Sequence, residues 1–335
     1  AYEIMPSLVG SEMCIRDSSG GVRAVMSPSV GRRGRRRSLL RDFRRGAGAY
    51  LFLLPHFFFF CLFVVAPLVY SLTLSFHQWG LLGEPKYIGL TNFVRTWNDS
   101  RFWLAVKNTV VFAAISVPLV IIVGLAFALT LNLRFYGRLW PMIAFVAPTF
   151  FGSIGILTTW DWVLASFPSG LANYYLGRLG VIKTAVSWFS SAPMAWTSII
   201  VITVWWIVGF SVLLYLGALQ RIPPEQYESA MIDGAGPWTR FRCITLPWIR
   251  NVLFFDVARQ VLLAFGLFDQ VYILTAGGPA GSTRTMVYYL YMVGFQRMQV
   301  GRAAAVSWYL FIVTVLFGFI QLALLAKSVR SAEVE

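Results

Sequence analysis

The chain has 335 residues, 58% of them hydrophobic and 13% charged, with a mean hydropathy of +0.67. Soluble domains carry about a quarter charged residues, so this composition excludes a water-solvated fold and makes lipid the solvent for most of the surface. The formal net charge of +14 does not point to nucleic acid, because the basic residues crowd beside apolar runs, where they set orientation and meet anionic lipid.

Residues 1–21 open without methionine and match neither a signal peptide nor a periodic segment, so they are expected to be a non-native leader, with Met26 as the expected start. Residues 22–47 form a basic tail, with Arg32, Arg33, Arg35, Arg36, Arg37, Arg41, Arg44 and Arg45 leading into the first apolar run. A bilayer core about 30 Å thick needs roughly 20 apolar helical residues. Stretches of that length are predicted over 49–76, 108–133, 139–164, 195–219, 252–276 and 303–326. The fold class expected is an all-α membrane protein of about six transmembrane helices, its domain running over 48–330. Pro55 and Pro67 predict a kink in the first span, or a short interfacial helix leading into it. Between the spans, 77–107 and 166–194 are long and carry Trp79, Trp97, Trp103 and Trp188 as interfacial anchors, 134–138 is a tight turn, and 220–251 is a polar insert.

Orientation follows from counting Lys and Arg on each side. One side collects seventeen, from the tail, Arg134, Arg138, Arg221, Arg240, Arg242, Arg250, Lys327 and Arg330; the other has nine. The richer side is the cytoplasmic one, which puts both termini and the polar insert inside.

In that insert, Arg221 to Arg250, Pro223 and Pro224 predict a helix start, Glu225 and Glu228 stand near its positive N-terminal end, and Gly234 predicts its stop. Tyr227, Ala230 and Met231 share one face at helical spacing. A second short helix is predicted from near Pro237, with Trp238, Phe241 and Ile244 apolar before Leu246-Pro247 returns the chain to the membrane. Glu228, Ala230, Gly234, Ile244, Leu246 and Pro247 stand in the register of the EAA loop: Glu-Ala-Ala, three residues, Gly, nine residues, Ile, one residue, Leu-Pro. Asp233 and Ala235 complete a DGA form, and Ser229 replaces the second motif residue, small for small. Here the chain resembles the permease subunits of binding-protein-dependent ABC importers of the carbohydrate-uptake group. The likeness extends from about Tyr50 to Lys327, through GLTNFVRTWNDSRFWLAVKNTVVF (89–112), FDQVYILTAGGPAGST (268–283) and GRAAAVSW (301–308). The Phe-Asp-x-x-Tyr and Gly-Gly-Pro elements are similar to the first of the two permeases usually paired in such systems.

The resemblance implies a type I ABC-importer permease in a bacterial or archaeal cell membrane. The partners it implies are a second homologous permease, two cytoplasmic ATPase subunits and an extracytoplasmic substrate-binding protein. The helix after Pro224 would be a coupling helix seated in an ATPase groove, with Glu228 meeting a basic residue there. Without the resemblance, the same segment reads as an amphipathic helix on the membrane surface.

No phosphate-binding loop is present: none of the four lysines, Lys86, Lys107, Lys183 and Lys327, stands in a G-x-x-x-x-G-K-[ST] arrangement. Nucleotide hydrolysis is therefore expected in a partner. Gly277-Gly278-Pro279 reads as a turn at the end of a span. Cys14, Cys61, Cys243, His56 and His77 have neither disulfide nor metal-ligand spacing. No cofactor, metal or catalytic constellation is expected, which argues against a membrane-embedded enzyme.

Ionisable groups in or beside spans are the candidates for a translocation path, since each costs about 2.5–3.5 kcal/mol at the bilayer centre. Asp256 and Arg259, three apart, read either as an ion pair near the cytoplasmic interface or as lining the path. Trp160 and Asp161 combine aromatic surface with a carboxylate suited to hydroxyl-rich ligands, and interfacial anchoring explains them equally. Asp269 and Tyr272 divide between packing and path. A secondary transporter or channel working without ATP is the competing class; it expects mid-membrane coupling charges and repeated halves, whereas the second, fourth and sixth predicted spans carry no charge.

Overall fold

The computed structural model describes residues 52–80, 82–133, 136–166 and 170–332. The expected leader, the basic tail and Arg134 lie outside the described residues. The chain divides into two compact units, Ala1–Ala66 and Pro67–Glu335.

The first apolar helix, α1 (Phe52–Ser75), is exposed on every side through Tyr70, the condition of a helix solvated by hydrocarbon rather than packed in a core. Between the two prolines at which a kink is expected, the helix carries a wider π turn at Cys61–Val65, where the Ala66 N–H reaches back to the Cys61 carbonyl. That turn stands immediately before Pro67, which has no N–H to offer the preceding turn.

After α1 the all-α expectation needs one amendment: a small antiparallel hairpin, β1 (His77–Gly80) and β2 (Leu82–Tyr87), with His77 opposite Tyr87. Asn92, at the start of α2 (Thr91–Trp97), fastens it by donating from Nδ2 to the Ser75 and His77 carbonyls, both at 2.9 Å. The second span, α3 (Ser100–Asn132), starts eight residues before the predicted 108 and is capped by Asp99, whose side chain accepts the Arg101 N–H. Its 33 residues rise about 50 Å, longer than the hydrocarbon core is thick.

The third predicted span, 139–164, is not one helix. It is α4 (Leu139–Val146) with a 3₁₀ turn at Ala147–Phe150, then α5 (Ser153–Val163), the two bent by 109°. Phe151 and Gly152 are extended between them. α6 (Leu171–Arg178) follows, and the fourth span is α7 (Ala192–Leu219). The polar insert forms α8 (Pro224–Ile232) and α9 (Pro237–Arg240); α9 runs through a π turn, Phe241–Thr245, into α10 (Leu246–Phe265). The fifth predicted span, 252–276, is likewise corrected. α10 begins six residues earlier and stops at Gly266, a poor helix former, and the chain resumes as α11 (Asp269–Leu274). Gly277-Gly278-Pro279 is the expected turn: Gly277 has φ +77, and the Gly278 N–H donates to the Thr275 carbonyl at 2.8 Å. α12 (Met286–Tyr291) and α13 (Val300–Ala332) complete the chain.

Among the described residues four of these helices, α1, α3, α7 and the Val300–Gln321 part of α13, are long and apolar enough to cross a bilayer, and the bent α4–α5 pair makes five when its two halves are counted as one broken span. α10, with 20 residues, has the length of a sixth but carries Arg250, Asp256 and Arg259. In hydrocarbon the burial of apolar area drives little, so close packing through small residues holds helices together. Accordingly, Gly124 of α3 faces Ser211 and Tyr215 of α7, where an added Cβ would stand 3.1 Å from the Ser211 Cβ. Gly209 takes the bend of the third span in the same way, and Thr149 there donates to the Trp206 carbonyl at 2.9 Å. α3, α7 and α10 share a core around Val120, Val208, Val212, Tyr215 and Ile249. A second cluster joins Phe102, Met286, Tyr289 and Val306 from α3, α12 and α13.

Candidate functional site

The polar insert is built as a short exposed helix held by its ends. α8 buries none of its nine residues, and an isolated helix that short is marginal in water, so its termination matters. Asp233 is the C-cap, Gly234 has φ +78, the Gly234 N–H donates to the Met231 carbonyl at 3.1 Å and the Ala235 N–H to the Ala230 carbonyl at 2.8 Å. These paired bonds are a Schellman motif, closed by the residue type that adopts positive φ without strain. Tyr227 ties α8 to the π turn through its hydroxyl, 2.9 Å from the Thr245 Oγ1, and the Trp248 indole donates to Gln226 at 2.8 Å. Ile244 packs on the core, while Leu246 and Pro247 open α10 with exposed side chains. Glu228 is exposed, and Met231 and Ile232 on the same helix and Trp238 on α9 leave 51%, 87% and 71% of their surfaces uncovered. A polar insert with three large apolar side chains uncovered has the composition of a docking surface.

From that insert one helical rod, Pro237 to Phe265, leads up to a cavity of about 360 Å³ between α3, α7 and α10. Its polar lining is Ser116, Thr149, Thr203, Arg259, Gln260, Asp269 and Gln270, and its aromatic lining Phe112, Trp206, Phe210 and Phe268. Thr203 is buried with no hydrogen-bond partner for its Oγ1 among the described residues. The Gln260 Nε2 donates to Ser211 at 3.1 Å.

Asp256 and Arg259 form the expected ion pair, and of the two Arg259 lines the cavity. Arg259 donates from Nε and Nη2 to the Asp256 Oδ1 at 3.1 and 3.0 Å, and its guanidinium also lines the cavity, 4.2 Å above the Phe210 ring. Asp256 is fully buried, and its Oδ2 accepts the Tyr215 hydroxyl at 2.6 Å. Asp269 lines the same cavity. The other three candidates do not. Trp160 packs edge-on against Trp205 at 5.4 Å, Asp161 is exposed, and Tyr272 stacks on Phe268 at 5.3 Å with 44% of its surface exposed. Thr203, Ser211, Tyr215, Gln260 and Gln270 were outside the expectation. The signal for part of them is in α7, where Thr203, Ser211 and Tyr215 fall on one i, i+4 ridge of an otherwise apolar helix.

A third polar group stands at the head of α3. Arg302 donates to the Asp99 Oδ2 at 2.7 Å and the Tyr289 hydroxyl to the same oxygen at 2.8 Å. Burial alone would raise the Asp99 carboxyl. The Arg101 N–H, the Tyr289 hydroxyl and Arg302 more than offset it and hold the group below the ordinary carboxylate value.

The profile of the binding-protein-dependent transport system inner membrane component family matches residues 98–331. The chain belongs to this family. It is therefore a multi-pass membrane permease of an ABC transport system. Among its relatives, the lactose transport system permease of Rhizobium radiobacter is 34% identical over 280 residues, covering 81% of this chain and 92% of that protein. The trehalose/maltose transport system permease of Thermococcus litoralis is 33% identical over 281 residues, covering 84% and 94%. In architecture this permease is similar to a chain of a bacterial ABC transporter involved in the import of the acidic polysaccharide alginate. That match has a TM-score of 0.75 at 23% identity and covers 86% of this chain and 98% of the other.

Proposed function

We propose that this permease forms one half of the translocation path for a sugar or related polar solute, and that a separate ATPase drives it through the 221–250 insert. The full assembly would comprise a second homologous permease, two cytoplasmic ATPase subunits and an extracytoplasmic binding protein. Both chain ends would be cytoplasmic. The observation that carries the reading is the single rod from Pro237 to Phe265, which joins an exposed docking helix pair to the wall of a polar, aromatic-sided cavity. Met231, Ile232 and Trp238 would seat in an ATPase groove, with Glu228 paired to a basic side chain at its rim. The Schellman turn at Gly234, with Asp233 and Ala235, fixes the angle between α8 and α9. Ile244, Leu246 and Pro247 carry displacement of α9 into α10, so closure of the ATPases would tilt α10 against α7 and switch access to the cavity. A hydroxyl-rich solute suits that cavity: Thr203, Gln260 and Gln270 offer hydrogen bonds, and Trp206, Phe210 and Phe268 offer ring faces. The sugar names of both relatives support the solute class.

The test is ATP-driven uptake of labelled lactose and trehalose by the complete transporter in vesicles. Uptake of either sugar, lost in Glu228→Lys while the complex still inserts, is the expected result. Wild-type uptake by Glu228→Lys would remove the insert from the mechanism, and uptake of neither sugar nor of other saccharides would overturn the solute class.

A further inference from the structure

We propose that the cavity wall formed by this chain selects against acidic solutes and admits uncharged or cationic ones, because Asp256 cancels Arg259, the one cation that faces the cavity among the described residues. The inference rests on the cavity being part of the translocation path. Its charged lining consists of two residues, Arg259 and Asp269. An unpaired arginine would present its fork to a carboxylate or sulfate group of a ligand. Here that edge is occupied. Nε and Nη2 of Arg259 both close on the Asp256 Oδ1, and Asp256 has no exposure to solvent. It is held in place by the Tyr215 hydroxyl on its other oxygen. The guanidinium face is taken by Phe210. Nη1 alone has no partner among the described residues, and beside a carboxylate it is a hydrogen-bond donor to a hydroxyl more than an anion site. Asp269, by contrast, has no cation within ion-pair distance among the described residues. The wall therefore sums to one negative charge. Asp256 and Tyr215 are positioning residues, which act on the solute only through Arg259.

Charged thiol reagents measure this directly, whatever the protein carries. Leu263 lines the cavity one helical turn above Arg259 and is 48% exposed. In the full transporter, with the native cysteines replaced, Leu263→Cys is reacted in parallel with a cationic trimethylammonium-ethyl and an anionic sulfonatoethyl methanethiosulfonate. The ratio of the two rates is referred to that of a free thiol. One unit charge about 6 Å away, in a water-accessible cavity of effective dielectric about 40, changes such a ratio about tenfold or more. The ratio is expected to favour the cation in the otherwise unaltered protein and to swing towards the anion in Asp256→Asn, which frees Arg259. Arg259→Gln should swing it further towards the cation, and the double variant should return it to the starting value. Asp269→Asn, at a half-buried position outside the buried pair, should lower the cation preference without disturbing the helix contact. An initial ratio favouring the anion, or a series in which these changes leave the ratio unmoved, would overturn the proposal. Failure of lactose or trehalose uptake would instead count against the solute class and leave the charge reading standing.

Discussion

Gly234 is the position where one substitution should separate transport from ATP hydrolysis without touching the spans. Its φ of +78 costs an L-residue about 1–2 kcal/mol, and a β-branched side chain sits at the upper end. Relaxing that strain breaks the Gly234 and Ala235 amide bonds to the Met231 and Ala230 carbonyls, each worth about 0.5–1.5 kcal/mol. Gly234→Val therefore loses the smaller of these two costs, about 1–2 kcal/mol, from the turn, a drop of roughly five- to thirtyfold in its ordered population at 1.4 kcal/mol per decade. Beyond the turn, α8, which buries no residue, is held by the Tyr227 hydroxyl at Thr245 and by the Trp248 indole at Gln226. A Cβ at 234 meets no atom within 4 Å, so the damage stays in the turn and leaves the bundle intact. In reconstituted vesicles, uptake by Gly234→Val should fall about five- to thirtyfold at unchanged insertion, with ATPase either lost from the complex or no longer stimulated by loaded binding protein. Gly234→Asn, which tolerates the left-handed region, should recover most of the uptake. Equal, wild-type coupling in Gly234→Val would show that the geometry of this turn carries no drive.

Two further outcomes follow from charge. The folded Asp99 carboxyl lies below its ordinary value, so its contribution to stability is complete above about pH 4 and is lost as pH falls through the lowered value. Asp99→Asn should thus reduce thermal stability at neutral pH by about 1.5–3 kcal/mol, the usual range for hydrogen bonds to a charged group. The gap from wild type should narrow on acidification below pH 4, and a gap that stayed constant down to pH 2.5 would refute the role of the Arg302–Asp99–Tyr289 group. The orientation read from the seventeen-to-nine Lys and Arg asymmetry predicts that a single cysteine at Ser187 reacts with an impermeant reagent added to intact cells and one at Ser38 does not. The reverse pattern would invert the topology.

The parts of this permease that were legible in its sequence are those whose signal is local. Apolar runs of about 20 residues report spans wherever the helix is unbroken, and α3, α7 and α13 have the type and place expected. The insert was legible down to its turn because Pro224, Gly234 and Pro237 each impose a backbone state on their own neighbourhood. Hydropathy is blind to direction, however. The runs at 139–164 and 252–276 stay apolar across their breaks, so hydropathy does not report the 109° bend at Phe151-Gly152 or the stop at Gly266, although a glycine stands at each. The cavity is harder still, because its members come from different helices and each is unremarkable alone. Tyr215 and Asp256 are 41 positions apart, and what joins them is the rotation of α7 and α10 about their axes, a property of packing. Trp160 and Asp161 illustrate the converse. Two aromatics flanking a carboxylate look like a sugar surface in one dimension, yet α5 turns Asp161 out while Trp160 packs on Trp205. Arg259 was legible as a charge but not as a neutralised one. Its meaning for a solute depends on a buried partner one helical turn away, and on a tyrosine from another span that keeps the partner there.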